Sequence, residues 1–224
     1  MSDCTFTSNI GAEGGGVYWT GRKATLINST FINNTAKTHN GGGLHLSAIN
    51  SLLTDCIFID NFAREVGGAI YWSGANGNII CSNFINNRVI SRGGGIFWDN
   101  TNGIISNSTF SNNKADWGGA IFLNRNNCTL TGCTFTNNND NNAAGAIYWI
   151  TVGYMNNCNF NSKWIQSNGI RANNNLTING GKGIVNIVTN HTISGISIVV
   201  LNNETYYYPP NTNINFTDNR MIRD

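Results

Sequence analysis

The sequence has few proline residues, few charged residues and no long apolar run. The 224 residues hold 2 Pro, the adjacent Pro209 and Pro210, and 11% charged side chains with a net charge of +2. Lys and Arg are scattered, so we expect no polyanion-binding cluster and no nucleic-acid partner. No apolar run reaches the length of about 18 residues that a membrane-spanning helix needs, so no transmembrane segment is predicted.

Helical periodicity and metal-ligand spacing are missing as well. No stretch keeps apolar residues at helical intervals, which leaves β-structure as the expected fold class. The 6 Cys include no Cys-x-x-Cys, and the 3 His include no closely spaced pair. The sequence therefore predicts no metal site and no cofactor.

The sequence does contain a repeat marked by phenylalanine. A Phe recurs every 25 to 27 residues, at Phe6, Phe31, Phe58, Phe84, Phe110, Phe135 and Phe160. In the first six repeats it is followed by a pair of small residues and an aliphatic residue, at Val17, Leu44, Ile70, Ile96, Ile121 and Ile147. A fixed period of this length indicates one structural unit stacked on copies of itself.

Within each repeat, the consistently apolar columns lie two residues apart, as in a β-strand. Three short strands and their turns would use roughly 25 residues, which is one coil of a parallel β-helix. Coils that stack about 4.8 Å apart would bury the apolar columns in a shared interior. The sequence predicts an all-β fold: a right-handed parallel β-helix of about 6–7 coils, pectin-lyase-like, followed by a short antiparallel β segment.

An Asn column follows each Phe by three residues. Asn tolerates the left-handed conformation of a sharp turn, and stacked Asn side chains can hydrogen-bond from coil to coil. We therefore predict a structural ladder formed by Asn9, Asn34, Asn61, Asn87, Asn113 and Asn138.

A second column lies between each aliphatic residue and the Trp or Leu that follows it two positions on. Strand alternation directs this column to the face opposite the Trp column. If the Trp residues point inward, an exposed aromatic stripe suited to stacking on sugar rings or on another protein results. The alternative is that the rings only stack on one another. These candidate binding residues are Tyr18, His45, Tyr71, Phe97, Phe122 and Tyr148.

Cys133 and Cys158 share a column on adjacent predicted coils. Their Cα atoms would be about 4.8 Å apart, within disulfide range, although directly stacked Cβ atoms are too distant for an easy bridge. Small buried thiols are the expected interpretation of the cysteines in these columns.

Acidic residues do not converge in the predicted coils. Only Asp116 and Asp140 lie on adjacent coils in neighbouring columns, in the loop before the Gly pair, where solvated turn residues are ordinary. His39 and His45 have no evident carboxylate partner in the sequence. Because hydrolases and lyases need converging acid and base groups, the sequence predicts that the chain is not an enzyme.

The repeats stop after Phe160. We predict a β-helix domain over 1–165, and over 166–224 a linker with an incomplete Ig-like β module that includes a hairpin at Asn202–Glu204. Met1 opens almost directly onto the first strand, so we expect a piece of a longer protein whose export signal and anchor lie elsewhere. Eight glycosylation sequons give weak support for a glycoprotein: Asn28, Asn33, Asn107, Asn127, Asn175, Asn190, Asn203 and Asn215.

At 56–72 the core of the repeat is Cys-Ile-Phe-Ile-Asp-Asn-Phe-Ala-(x)3-Gly-Gly-Ala-Ile-Tyr-Trp. This core resembles the repeat of chlamydial polymorphic outer-membrane proteins. It is more similar still to adhesin-like surface proteins of methanogenic archaea. The segment from Ile196 to Tyr208 resembles the opening of the Ig-like modules that follow the repeats in those proteins. The resemblance covers roughly residues 4–160.

The resemblance implies a non-catalytic protein, extracellular or at the cell surface, that presents a rigid β-helical surface for attachment. Its expected partners are glycans or the surface proteins of host or partner cells. Two alternatives stay open from the sequence. One is a polysaccharide lyase or glycoside hydrolase of the pectate-lyase-like group, and the other is a structural surface stalk without a ligand.

Overall fold

The computed structural model describes residues 1–125, 127–141, 145–161 and 170–171 with their side chains, and Ala172 and the strands between 176 and 223 by their backbone. In this part of the chain every regular element is a β-strand, and each strand of the repeats pairs in parallel with its equivalent one repeat later. The predicted fold class is confirmed: the chain forms a parallel β-helix of about 6 turns. The parallel pairing fits the right-handed winding expected from the sequence. None of the described residues forms a helix that is long and apolar enough to span a membrane.

Each coil carries four short strands that form three sheets, instead of the three strands predicted. Sheet A takes two strands per coil, sheet B takes the next and sheet C the last. The first column of sheet A is Thr25–Ile27, Leu52–Thr54, Asn78–Ile80, Ile104–Ser106 and Cys128–Thr131. The second is Thr5–Thr7, Thr30–Ile32, Ile57–Ile59, Asn83–Ile85, Thr109–Ser111 and Thr134–Thr136, and Gly153–Phe160 completes both columns.

Sheets B and C run along the other two sides of the coils. Sheet B consists of Ile10–Gly11, Thr35–Ala36, Phe62–Ala63, Arg88–Val89, Lys114–Ala115 and Asn139–Asp140. Sheet C consists of Val17–Trp19, Leu44–Leu46, Ile70–Trp72, Ile96–Trp98, Ile121–Leu123, Ile147–Trp149 and Ile170–Ala172.

The extra strand arises from a corner inside sheet A, where one residue takes the left-handed conformation. In the second coil this is Asn28, with φ of 47°. The corner allows Leu26 and Phe31, five residues apart, both to point inward, and both are fully buried. A regular strand would place residues an odd number apart on opposite faces. The corner is therefore what brings two apolar columns of sheet A into one core.

A second corner joins sheet A to sheet B, and here the sequence-based assignment was wrong by one residue. We expected the ladder Asn to take the left-handed conformation. The residue before it does so, at Ser8, Asn33, Asp60, Asn86, Asn112 and Asn137, with φ between 51° and 55°. The ladder Asn itself has its side chain inside the coil, where it serves hydrogen bonding instead of the turn.

The core consists of side chains stacked along the axis of the β-helix. The seven repeat Phe rings stack with centroids 4.6 to 5.2 Å apart and interplanar angles of 17° or less. Trp72 and Trp98 stack in the same way at 4.5 Å. Full burial of an aromatic side chain contributes about 1.5–3 kcal/mol relative to exposure, so this repeated column is a main source of stability.

The two glycines of the Gly pair have different structural reasons. In the second coil Gly41 takes a φ of 68°, which a residue with a Cβ adopts only with strain. Its neighbour Gly42 packs against the backbone of sheet B, and a Cβ there would lie 2.5 Å from the carbonyl carbon of Phe62. The first glycine therefore provides the left-handed conformation, and the second allows close packing against the backbone of sheet B.

Parallel pairing continues beyond the last repeat Phe. The strand Leu176–Thr189 pairs in parallel with Gly153–Phe160 and with Ile170–Ala172. Antiparallel pairing joins the remaining strands, Thr192–Ile193, Ile196–Leu201, Glu204–Tyr208, Asn213–Thr217 and Arg220–Arg223. The strand Ile196–Leu201 pairs in parallel with Leu176–Thr189 and antiparallel with Glu204–Tyr208. The antiparallel pair is the one expected on either side of the predicted hairpin, whose turn residues Asn202 and Asn203 lie outside the described residues.

Candidate binding surface on sheet C

The outward column of sheet C is less exposed than the sequence predicted. Tyr18 is 55% exposed, but His45, Phe97 and Phe122 are only 7%, 5% and 2% exposed. Tyr71 and Tyr148 are half-buried. The expectation of a continuous exposed aromatic stripe at Tyr18, His45, Tyr71, Phe97, Phe122 and Tyr148 is therefore wrong for its three buried members. Glu13 lies beside His45, and the Arg92 guanidinium lies over the Phe122 ring.

Stacking among the rings also hides the column. Tyr71, Phe97, Phe122 and Tyr148 form a continuous stack with centroid separations of 5.8, 5.1 and 4.8 Å and interplanar angles of 15° or less. Each ring thus covers the face of the next. Such stacking stabilises neighbouring strands, which is the alternative that the sequence left open.

Two histidines near the start of the β-helix lie beside carboxylates, contrary to the sequence-based expectation. Glu65 approaches His39 on the surface, with 3.4 Å between Oε2 and Nδ1. Glu13 lies 3.4 Å from the Nδ1 atom of the buried His45. Burial lowers the pKa of His45, and the nearby Glu13 opposes that shift. The partners come from adjacent coils, 26 residues away for His39 and 32 residues away for His45, so local spacing gave no sign of them.

A hydrogen-bonded group borders Tyr71, the first ring of the stack. Tyr71 donates from its hydroxyl to Asp99 Oδ2 at 3.4 Å, and Asn124 donates to Asp99 Oδ1 at 2.6 Å. Arg125 places Nε 3.5 Å from the same Oδ1 atom. Burial, and then the Asp99 charge, raise the pKa of Tyr71. These contacts fix Tyr71 as part of the framework.

The stack opens at its far end into a recess of about 210 Å³, lined by Arg92, Trp117, Phe122, Tyr148 and Ile150. The half-buried Trp117 meets Tyr148 edge to face, at 5.4 Å and 88°. The Arg92 guanidinium lies 5.4 Å from the centre of the Phe122 ring. A recess with aromatic walls and one exposed cation has the chemistry of a small polar-ligand site.

Arg171 extends the same arrangement by one coil. It follows Tyr148 in the register of sheet C, and its guanidinium lies 5.4 Å from the Trp117 ring and 5.5 Å from the Tyr148 ring.

Sequence reasoning missed Trp117, although its position carries a signal. The residue before the first Gly is Glu13, Asn40, Val66 or Arg92 in the other described coils, so Trp117 is the aromatic member of that column.

The Asn ladder lies inside the β-helix rather than on a surface. From Asn9 to Asn113 each side-chain amide donates to Oδ1 of the next ladder Asn, at 2.9 to 3.0 Å. The backbone N–H of the same residue donates to the same oxygen. The second amide hydrogen reaches a Phe carbonyl, as from Asn61 to Phe31 at 2.9 Å. Each buried amide is thus satisfied within the ladder.

The two acidic candidates have structural contacts. Asn141 donates to Asp116 Oδ1 at 2.6 Å. Asp140 occupies the register of Ala115 in sheet B, and its Oδ2 accepts the backbone N–H of Gly118 at 3.2 Å. No group of three or more metal-ligating side chains occurs among the described residues.

The cysteines are free thiols, including Cys133 and Cys158. A hydrogen bond with Cys133, and then burial, raise the pKa of Cys158 well above its ordinary value. Both side chains therefore pack as small buried groups.

Four of the eight sequons have described side chains, at Asn28, Asn33, Asn107 and Asn127. All four Asn residues are exposed and take a left-handed conformation at a corner of the coil. The sequons at Asn175, Asn190, Asn203 and Asn215 lie outside the residues whose side chains are described.

These features define the chain as a β-helical repeat protein. Three of its segments, residues 28–47, 55–71 and 107–124, match the family model of the Chlamydia polymorphic membrane protein repeat. The match confirms the resemblance of the repeats and points to a β-helical protein associated with a cell surface or outer membrane. Comparison with curated proteins finds no significant match, and neither does comparison with solved structures.

Proposed function

We propose that the chain is part of a non-catalytic, extracellular or surface-bound protein of the adhesin type, and that it attaches to glycans through sheet C. Its repeats are of a kind found in polymorphic membrane proteins. Its β-helix holds side chains at fixed spacing along a rigid surface, which suits attachment better than a flexible loop does.

The observation that carries this proposal is the recess beside Trp117 and Tyr148. Both rings are half-buried and held at right angles. The apolar face of a sugar packs well on such rings, and the exposed Arg92 at the rim supplies hydrogen-bond donors for its hydroxyl or carboxylate groups. The neighbouring stack of Phe97 and Phe122 keeps the floor of the recess rigid, which limits the entropy lost on binding.

The chemistry of the recess favours binding over turnover. Its lining contains a guanidinium, aromatic rings and one aliphatic side chain, and no carboxylate. General acid–base cleavage of a glycosidic bond needs a carboxylate pair or an equivalent. The acidic pair considered from the sequence accepts hydrogen bonds: Asp116 from Asn141, and Asp140 from the backbone N–H of Gly118.

A glycan array probed with the whole chain, run beside a polysaccharide depolymerisation assay, tests the proposal. Trp117→Ala should reduce glycan binding by about tenfold or more, because it removes a main apolar wall. Tyr154→Ala is the matched control, since Tyr154 is 42% exposed on sheet A, away from the recess. Thermal melting of both variants shows whether the fold is kept.

Arg92→Gln gives a second measurement, since this exposed side chain can be changed without opening the core. Weaker binding in both recess variants, with Tyr154→Ala unchanged, supports the proposal. Depolymerisation of any polysaccharide contradicts the non-catalytic assignment. If no glycan is retained, attachment through sheet C is wrong and a structural stalk becomes the better description.

A further inference from the structure

The recess beside Trp117 and Tyr148, named here the sheet C recess, has two arginines that approach it from opposite directions along the axis. Arg92 lies one coil before Phe122, and its guanidinium lies 5.4 Å from the centre of that ring. Arg171 lies one coil after Tyr148, and its guanidinium lies 5.5 Å from the centre of that ring. The rings of Phe122 and Tyr148 stack with their centroids 4.8 Å apart. Both guanidinium groups therefore converge on the same pair of rings.

The sheet C recess contains positive charge and, among the residues described with side chains, no carboxylate in its lining. The lining consists of Arg92, Trp117, Phe122, Tyr148 and Ile150. The nearby Asp140 accepts the backbone N–H of Gly118 and does not line the recess. None of the ion pairs in this described part of the chain involves Arg92. An anion in the recess is therefore attracted by a guanidinium and meets no like charge in the lining.

Sheet B provides a contrast, because it has the same contact between an arginine and a Phe ring. The Arg88 guanidinium lies over the Phe62 ring, 4.8 Å from its centre. Two recesses share these residues, and Asp116 lines one of them while Asp60 lines the other. An anion there would be repelled by a carboxylate as well as attracted by the arginine. The same contact therefore favours an anion on sheet C and not on sheet B.

We propose that the sheet C recess selects a sugar that carries a carboxylate, as uronic and sialic acids do. This inference rests on the proposed attachment to glycans and adds the class of sugar. The planar guanidinium of Arg92 matches a carboxylate with two parallel N–H donors, while the C–H groups of the sugar pack on Trp117 and Tyr148. Contact with Phe122 holds the Arg92 side chain in place, so less conformational freedom is lost on binding.

The size and shape of the recess favour one sugar unit over a nucleotide. Its volume of about 210 Å³ is below the roughly 300–1,000 Å³ of sites for drug-sized ligands. A nucleobase stacks on a flat, open ring face. Trp117 and Tyr148 instead meet at 88°, and this angled wall suits a puckered sugar ring better than a flat base.

Affinities of the whole chain for matched acidic and neutral sugars, measured by calorimetric titration, test the inference. One pair is sialyllactose and lactose, and the other is trigalacturonic acid and its methyl ester. The acidic member of at least one pair should bind about tenfold or more tightly than its neutral partner, and added salt should weaken only the acidic member. The pair that shows this preference distinguishes a sialic from a uronic acid ligand.

Arg92→Gln should remove the preference without removing attachment. The acidic sugar should lose about tenfold in affinity and bind like its neutral partner, whose affinity should stay the same. The matched control Arg88→Gln removes a guanidinium from the equivalent contact on sheet B and should leave both affinities unchanged. Because Arg92 and Arg88 are both exposed, melting temperatures should stay the same. Trp117→Ala should instead weaken the acidic and neutral sugars alike.

The outcomes separate this inference from the proposed function. Hits confined to neutral glycans on the array, or equal affinities within both pairs, would overturn the carboxylate inference and leave glycan attachment in place. An array without any hit would overturn both. Tighter binding of sulfated lactose than of either acidic sugar would assign Arg92 to sulfate, and tighter binding of a short oligodeoxythymidylate would rule out a sugar ligand. Equal losses in Arg92→Gln and Arg88→Gln would show that the recess is not the site.

Discussion

The indole ring of Trp72 occupies the space that a side chain on Gly77 would need. A Cβ on Gly77 would overlap the ring atoms Cζ2 and Cε2 of Trp72. The same relationship joins Trp98 to Gly103 and Trp149 to Gly153. In the two coils where Leu46 and Leu123 replace the Trp, the equivalent positions hold Ser51 and Cys128. The core thus keeps its volume by exchanging a large and a small residue between two columns.

This exchange predicts a specific pattern of stability. Gly77→Ala should lower the free energy of unfolding by about 1–3 kcal/mol, because the new methyl group overpacks against Trp72. Adding Trp72→Leu should recover part of the loss, since Leu leaves the room that Ser51 uses beside Leu46. Denaturant unfolding of the single and double variants measures the coupling.

Gly21→Ala serves as the control for that cycle. Gly21 is exposed, and the nearest atom to a Cβ there is a ring nitrogen of Trp19 at 3.1 Å. We expect a change within about 0.5 kcal/mol. A strictly additive double variant would contradict volume exchange between the two columns.

The Asn ladder predicts a large penalty for interrupting it. Asn61 accepts hydrogen bonds from the backbone and side chain of Asn34, and it donates to Asn87 and to the Phe31 carbonyl. Asn61→Leu should destabilise the chain by about 3 kcal/mol or more, since each buried group left unpaired costs about 1–3 kcal/mol. Chemical denaturation gives the value.

Asn78→Thr is the control for the ladder. Asn78 points outward from sheet A, where Thr25 and Thr129 occupy equivalent positions two coils away on either side. Its replacement should change stability by no more than about 0.5 kcal/mol. Equal effects at Asn61 and Asn78 would show that the ladder bonds contribute nothing specific.

Thiol accessibility predicts that the cysteines react at very different rates. Cys81 is exposed at a left-handed corner, with φ of 49°, while Cys56, Cys128, Cys133 and Cys158 are buried. Burial also raises the pKa of Cys128 to about 11, so little thiolate forms at neutral pH. A thiol reagent should therefore modify Cys81 first and the buried four only after unfolding, as mass spectrometry can follow. Rapid labelling of Cys128 in the folded chain would contradict the described core.

The sequence predicted the β-helix well because one strong signal recurs: inward Phe and Ile columns at a constant period. It predicted surfaces poorly, since exposure depends on neighbours one coil away. The sequence predicts an exposed, outward-pointing ring at Phe97, yet its stack with Tyr71 and Phe122 leaves it 5% exposed. Arg88 and Lys114 looked scattered at 26 residues apart, although both lie four residues after a repeat Phe. Aligning every outward column, and not only the apolar ones, would have brought them together.

Protonation of His45 predicts that stability falls in mild acid. Burial lowers the pKa of His45 in the folded chain below its ordinary value of 6.5, with Glu13 opposing the shift. Between the two pKa values the unfolded chain therefore binds more protons than the folded chain, so the free energy of unfolding decreases as pH falls below 6.5. The contribution of the neutral His45 to stability should be complete above that pH.

Thermal melting from pH 8 to pH 5 measures this dependence. His45→Phe should weaken it, because Phe does not titrate. Phe should fit this position, since Phe97 and Phe122 fill the same column in other coils. The groups facing the ring are the Glu13 carboxylate, the Ser47 hydroxyl and the rings of Tyr18 and Tyr71. Glu13→Gln should steepen the loss, because it removes the charge that favours the protonated ring. His39→Gln, at an exposed position, should leave the profile unchanged. A melting profile unaffected by His45→Phe would show that another group controls stability in this range.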